Sequence, residues 1–433
     1  MKRILGQMLC VAVIGVFLFA NALPVGAQDQ IELRMTWWGS QGRHDQTIKV
    51  IELFQAKNPN IKIVYEFSGW RDYFTKLTTQ AAGGNLPDIM QHDYSRLAEW
   101  VGNGLLLPLD EYISSNVINT ADVPAIMLEG GKVDGKMYGI NLGANAPAVI
   151  VDLDAFKKAG IELPAADWTW DDFEQICMTL HEKLGIWGMG GTLADHQTWK
   201  TLYLSLGQWA YSADGKSLGY TDDQPLINKM KMLRRLIEAE AYPPRDVELA
   251  EFFNSGPEGN PVVTGKAAMA MFWSNQIAAM QKAAGPDRHL GLIGLPKEKG
   301  GCCSPNYIKP SMFFSITKDA KHPKEAAMFI DFFVNSPEAN EIMKGERGVP
   351  ISTKIRAALK ESLDPVQAMV FDFVEKVEQD NTVLPPADPV AHADVYNNVF
   401  LPEFADPVLL GEITPEEGVA VLREMATEIL SQK

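Results

Sequence analysis

A chain of 433 residues exceeds what one hydrophobic core ordinarily organises, so two domains are expected. With 46% hydrophobic and 22% charged residues it reads as folded and globular, which excludes a disordered chain. The 39 basic and 55 acidic residues leave a net charge of −16, which repels phosphate backbones and anionic lipid and argues against nucleic-acid or polybasic membrane roles.

Lys2 and Arg3 precede an uncharged apolar run from Met8 to Ala20, and Val25 and Ala27 supply the small residues of a cleavage site before Gln28. Residues 1–27 are therefore expected to be a removed secretory signal peptide. The alternative, a membrane anchor, would need roughly 20 apolar residues, and this run is shorter. Cys10 lies inside the run instead of after it, so lipidation there is not expected. These features predict an exported, non-lipidated protein of a Gram-negative periplasm. Removing Lys2 and Arg3 leaves 37 basic against 55 acidic residues, a net of −18. Four cysteines in a chain of this length do not make a disulfide scaffold. Cys177 falls on the apolar face of a predicted helix. Cys302 and Cys303 are adjacent, and both a strained vicinal disulfide and two free thiols remain open there.

In chain order, Ile31, Leu33 and Met35 alternate with polar residues and predict a strand ending at Trp37-Trp38-Gly39. A helix follows with Val50, Leu53 and Phe54 on one face, stopped by Asn58-Pro59-Asn60. Ile61, Ile63, Tyr65 and Phe67 predict a second strand, and Phe74, Leu77 and Ala81 a helix ending at Gly83-Gly84. Leu86 to Met90 begins a third strand. This alternation argues for a mostly parallel sheet with helices on its faces, an α/β fold. Further on, Thr169 opens a helix with Asp172 at the capping-box position, Pro323 opens another, and Thr414-Pro415-Glu416-Glu417 caps a last one.

Chemistry-bearing motifs are scarce. The sequence has no HExxH, CxxC or Walker loop, and its seven histidines never recur at helical spacing, so no metal site is expected. One GxSxG match, Gly215 to Gly219, lies in a polar, turn-like stretch and predicts a surface hairpin, because a nucleophile elbow needs a buried strand before it and a helix after. Aromatic residues in loops are the positive signal. Of the 10 Trp, six stand where predicted strands or helices end: Trp37, Trp38, Trp70, Trp199, Trp209 and Trp273. Several have polar neighbours, as in Trp38-Gly39-Ser40-Gln41 and Trp273-Ser274-Asn275. Indole faces pack on the C–H faces of sugar rings while amides and carboxylates bond the hydroxyl rim, although any one Trp can equally be core packing. Trp100, Trp168 and Trp170 are read as core.

Taken in order, Phe54-Gln55-Ala56-Lys57-Asn58-Pro59-Asn60-Ile61, Leu86-Pro87-Asp88-Ile89, Gly104-Leu105-Leu106-Leu107-Pro108-Leu109-Asp110 and Val133-Asp134-Gly135-Lys136-Met137-Tyr138-Gly139 form a recognisable series. Trp170-Asp171-Asp172-Phe173, Gly265-Lys266-Ala267-Ala268-Met269 and His322-Pro323-Lys324-Glu325-Ala326-Ala327 continue it. The chain thereby resembles the extracellular solute-binding proteins of family 1, the sugar-binding components of ABC importers related to maltose-binding protein. The family usually has Pro where this chain has Asn141. The resemblance implies a type II-like periplasmic binding protein with two α/β lobes, residues 28–142 plus 262–316 and residues 143–261 plus 317–433. Crossings are implied near 140–146, 260–265 and 316–320, with ligand held in the cleft by hinge closure. It further implies a carbohydrate ligand, ABC permease subunits as partners, a monomer without cofactor or nucleic acid, and no enzymatic activity.

Candidate ligand-binding residues are Trp38, Ser40, Gln41 and His44 after the first strand, Trp70 after the second, and Asp93, beside Tyr94, after the third. Asn145, Trp199, Trp209, Trp273, Asn275 and Tyr307 complete the set. A helix N-cap is the competing role for Asp93. Trp273 is expected at the end of a strand returning to the first lobe. The alternatives are a secreted carbohydrate-active hydrolase or lyase, and a binding protein for a phosphate ester such as glycerol phosphate. The last would use arginines, with Arg43, Arg71 and Arg347 as candidates.

Overall fold

The computed structural model describes residues 30–432 except Ser40, Thr192, Ala194, 254–255, 381–384 and Ala387. The expected signal peptide lies outside the described residues. Strand β1 (Ile31–Trp38) buries Leu33, Met35 and Trp37 and pairs in parallel with β2 (Ile61–Ser68) and β3 (Ile89–His92). Helix α1 (Gln41–Lys57) turns Val50, Ile51 and Phe54 inward, and the Asn58 amide donates back to the Phe54 carbonyl where the helix stops. Helix α2 (Trp70–Ala82) returns the chain from β2 to β3. Strand β4 (Ile140–Asn141) edges this sheet, and β5 (Ala144–Asn145) leads out of it.

The second sheet begins with β6 (Pro147–Asp152), whose six residues are all buried, as befits a strand covered on both faces. Helix α3 (Trp170–Leu184) starts with the expected capping box of Thr169 and Asp172 and buries Phe173, Cys177 and Leu180. Strand β7 (Trp187–Met189), helix α4 (His196–Ser205) and strand β8 (Ala267–Trp273) follow, then α5 (Ile277–Ala284) and β9 (Leu290–Ile293). The chain passes through β10 (Lys309–Pro310) to β11 (Phe313–Ile316), and α6 (Pro323–Asn335), α7 (Pro337–Met343), α8 (Pro365–Asp380) and α9 (Pro415–Ser431) close the fold. The first sheet has the order β2-β1-β3-β11-β4, and the second β9-β6-β8-β7.

That topology moves two expected boundaries. Strand β8 does not return to the first lobe: it runs antiparallel to β6 and parallel to β7 in the second sheet. Residues 267–293 thus belong with 147–189, and of the expected first-lobe stretch 262–316 only β11 lies in the first sheet. Helices α6 and α7, expected in the second lobe, pack on the first. Phe329 of α6 meets Phe54 of α1 edge-on, with ring centroids 5.2 Å apart. The chain crosses between lobes at β5, at β10, and between Leu359, whose helix still packs on the first lobe, and α8; Val349 bridges the crossing strand at Ala144. The crossings expected near 260–265 and 316–320 are not used. Periodicity identifies a strand but carries no information about which sheet it joins; hydrogen-bond partners distant in sequence decide that. Gly348 adopts φ of +102°, and a Cβ there would meet the Ala144 carbonyl at 2.8 Å, so this close approach requires glycine.

The GxSxG segment is a hairpin: the Ser212 amide donates to the Ser217 carbonyl at 2.9 Å and Gly215 takes φ of +69°. Among the described residues no helix is long and apolar enough to cross a membrane.

Candidate ligand cleft

The crossing strands β5 and β10 pair Asn145 with Lys309. Around them the ends of several elements converge. Strand β8 delivers Trp273, the segment entering β10 delivers Tyr307, and the chain leaving α4 delivers Trp209. The Tyr307 ring lies edge-on to both indoles, 5.9 Å from Trp209 and 6.2 Å from Trp273. Trp273 is half-buried, and the Lys309 ammonium sits 4.9 Å from its ring centroid. Three expected residues thus form one aromatic cluster, and a fourth, Asn145, is on the adjoining strand.

Polar groups rim the cluster. The Gln197 amide donates to the Tyr307 hydroxyl at 2.6 Å, and burial raises the Tyr307 pKa. Asp195 caps α4 by accepting from the Gln197 amide N–H. Lys200 bonds both carboxylate oxygens of Asp388, at 3.0 and 2.9 Å. A cavity of about 240 Å³ is lined by Asp195, Gln197, Thr198, Thr201, Trp273 and Gln276, among others. The Asn145 Oδ1 and Trp209 Nε1 atoms are buried without a hydrogen-bond partner. Such atoms are costly unless a ligand or water completes them. From the first lobe, the Tyr94 hydroxyl reaches the Pro385 carbonyl at 3.3 Å. Burial and the Asp388 charge push the Tyr94 pKa up to about 12, so it stays a donor.

The other expected residues divide. Asn275 occupies the single turn after Trp273 and is half-buried. Asp93 caps the turn Tyr94–Arg96, its Oδ1 accepting from the amide and hydroxyl of Ser95. Gln41 is exposed and bonds Asp45. Trp70 opens α2, and Ser40 lies outside the described residues. Trp38, His44 and Trp199 are core groups instead. Trp38 packs on Tyr73 and Phe74, with centroids 5.0 and 5.7 Å away. His44 accepts from Trp37 Nε1 at 3.0 Å and stacks on Phe67 at 3.9 Å, and burial lowers its pKa. Trp199 is 1% exposed, stacks on Phe400 and donates to the Tyr220 hydroxyl.

Sequence reasoning chose Trp199 as a site residue and read Gln197, two residues earlier, only as its polar neighbour. Two positions on a helix are about 200° apart, so when Trp199 points to the core Gln197 points away from it. Lys200 and Lys309 were missed, since a lone lysine carries no motif. Of the candidate arginines, Arg43 and Arg347 are committed to partners within the protein, and the side chain of Arg71 lies outside the described ones. Arg43 pairs with Glu346 at 2.8 Å, while Arg347 is buried and donates to Thr47 and Gln91. Among the described residues no three His, Cys, Asp or Glu are grouped to hold a metal ion.

Two α/β lobes on three chain crossings, with aromatic and amide groups gathered at the crossing, define a bilobal ligand-binding protein. The chain belongs to the bacterial extracellular solute-binding protein family, whose model matches residues 41–340. A solved family 1 solute-binding protein from Alicyclobacillus acidocaldarius is 30% identical, covers 93% of this chain and 98% of its own, and superposes with a TM-score of 0.77. A periplasmic oligogalacturonide-binding protein from Yersinia enterocolitica, solved with saturated digalacturonic acid, is 25% identical over 93% of this chain and 99% of its own, with a TM-score of 0.77. The multiple sugar-binding protein of Streptococcus mutans is 20% identical over 81% of this chain and 83% of its own length.

Proposed function

We propose that this chain is the periplasmic sugar-capturing component of an ABC importer, closing its lobes on a sugar or oligosaccharide and presenting the closed form to the membrane permease. The observation that carries this reading is the cluster of Trp209, Trp273 and Tyr307 beside the amides of Gln197 and Asn145 at the lobe crossing. Rings of this kind stack on sugar C–H faces, and amides bond the hydroxyl rim. The sugar and oligogalacturonide ligands named for its relatives support the same ligand class.

Closure brings contacts from the first lobe to a sugar already held by the second, so ligand shifts the population toward the closed form. The protein acts as a monomer and performs no chemistry on its cargo. Calorimetry against a panel of neutral and acidic mono- and oligosaccharides tests the proposal. Binding of one or more sugars is expected, and a folded protein that binds none would overturn it. Glycerol phosphate in the same panel tests the phosphate-ester alternative, and overnight incubation with chromogenic glycosides tests the hydrolase.

A further inference from the structure

Outside the cleft, a cavity of about 820 Å³ lies between the loop at 164–168, the segment 292–306 and helix α8. Cys302 and Cys303 stand in its wall. Both are unpaired and exposed, whereas Cys177 is buried. The two thiols converge on one point: a Cβ built on Gly207 would lie 3.1 Å from the Cys302 sulfur and 3.6 Å from the Cys303 sulfur. The neighbouring Cys302 thiol raises the Cys303 pKa. Gly207 takes φ of +74° and has no side chain to separate the sulfurs from the turn beneath.

The loop that carries the pair is tied to the cleft at both ends. The Cys303 amide donates to the Ser205 carbonyl at 3.1 Å, the last residue of α4, and the Glu298 amide donates to the Ser205 hydroxyl. Helix α4 carries Gln197 and Lys200, and Trp209 follows Gly207 by two residues. On the other side of the loop, Tyr307 follows Cys303 by four. Gly301 packs so closely on the Ser205 carbonyl that a Cβ there would approach it to 2.6 Å.

We propose that Cys302 and Cys303 form a redox-convertible vicinal pair, and that closing it resets the loop between α4 and Tyr307. With a small disulfide such as glutathione disulfide as oxidant, the thiolate of one cysteine attacks it. A mixed disulfide forms and one glutathione leaves. The second cysteine then attacks the mixed disulfide, and the other glutathione leaves. The two cysteine protons end on the two glutathione thiols, and the protein has lost two electrons to the oxidant. The product is an eight-membered ring that contains the 302–303 peptide. Bringing the sulfurs to bonding distance, about 2.05 Å, turns that peptide and breaks the Cys303 amide bond to Ser205.

Tryptic cleavage after Lys299 and Lys318 (the Lys309-Pro310 bond is not cut) isolates both thiols in one peptide, free of Cys10 and Cys177. The folded full-length protein is equilibrated with glutathione disulfide, alkylated and digested. The 300–318 peptide is expected to lose two hydrogens and to resist alkylation until reduced. Cys302→Ser and Cys303→Ser should each carry one glutathione on the remaining sulfur and form no bridge. In the oxidised wild type, amide exchange at Cys303 should speed at least tenfold relative to the reduced protein. An unmodified peptide, stable glutathione adducts in the wild type, or disulfide-linked dimers would overturn the pair. A closed bridge with unchanged exchange at Cys303 would overturn its coupling to the loop. Neither readout depends on which sugar binds, so both stand whether or not the cleft proposal survives.

Discussion

Replacing Trp273 by alanine separates a stacking platform from a packing residue. The indole is half-buried, with Lys309 at one face and the Tyr307 edge beside it. A pyranose laid on it would hide about 80–100 Å² of apolar surface, which at about 25 cal/mol/Å² contributes about 2–2.5 kcal/mol. At about 1.4 kcal/mol per tenfold, the dissociation constant should rise about 30- to 70-fold. The cost to the unliganded fold is smaller. Losing the edge contact removes about 0.5–1.5 kcal/mol, and losing the cation–π contact removes about 0.5–1 kcal/mol. Calorimetry with the best sugar of the panel, read beside chemical denaturation of the unliganded protein, measures both quantities. If Trp273→Ala binds sugar normally but loses the 3–5 kcal/mol typical of a buried tryptophan (about that range), the stacking role is refuted.

Trp199→Ala should behave in the opposite way, losing about 3–5 kcal/mol of stability with sugar affinity intact in the cold, as denaturation and calorimetry would show. Tyr307→Phe strips the acceptor from the Gln197 amide, so affinity should drop about tenfold, a cost near 1.4 kcal/mol, measured by the same titration. Asp93→Ala removes the cap on Tyr94–Arg96 and should cost about 1 kcal/mol of stability. If Oδ2 also bonds sugar, calorimetry should show at least a tenfold weaker complex. His92 donates from Nδ1 to the Asp93 carbonyl, and burial pushes its pKa down from 6.5 to about 4. Below pH 6.5 the unfolded chain takes up a proton that the fold excludes, so stability falls as pH drops toward 4. At about 1.4 kcal/mol per pH unit the loss is about 3 kcal/mol. His92→Gln should flatten acid denaturation curves over that window, and an unchanged slope would refute the assignment.

The sequence by itself was enough for the α/β class, the first three strands, the caps at Thr169 and Thr414 and the family resemblance. These features are local: alternation, helical spacing and capping chemistry are written within a few residues of each other. It also placed Trp209, Trp273 and Tyr307 among the candidates, because aromatics at element ends are visible without a fold. Tertiary structure decided the rest. The strand Ala267–Trp273 could have joined either sheet, and only its pairing with Pro147–Asp152 and Trp187–Met189 assigns it to the second. Trp38, His44 and Trp199 have the composition of site residues, yet their rings meet Tyr73, Phe67 and Phe400, partners between 23 and 201 residues away. Which face of an aromatic meets core and which meets ligand depends on such distant neighbours. Local sequence pattern does not encode them.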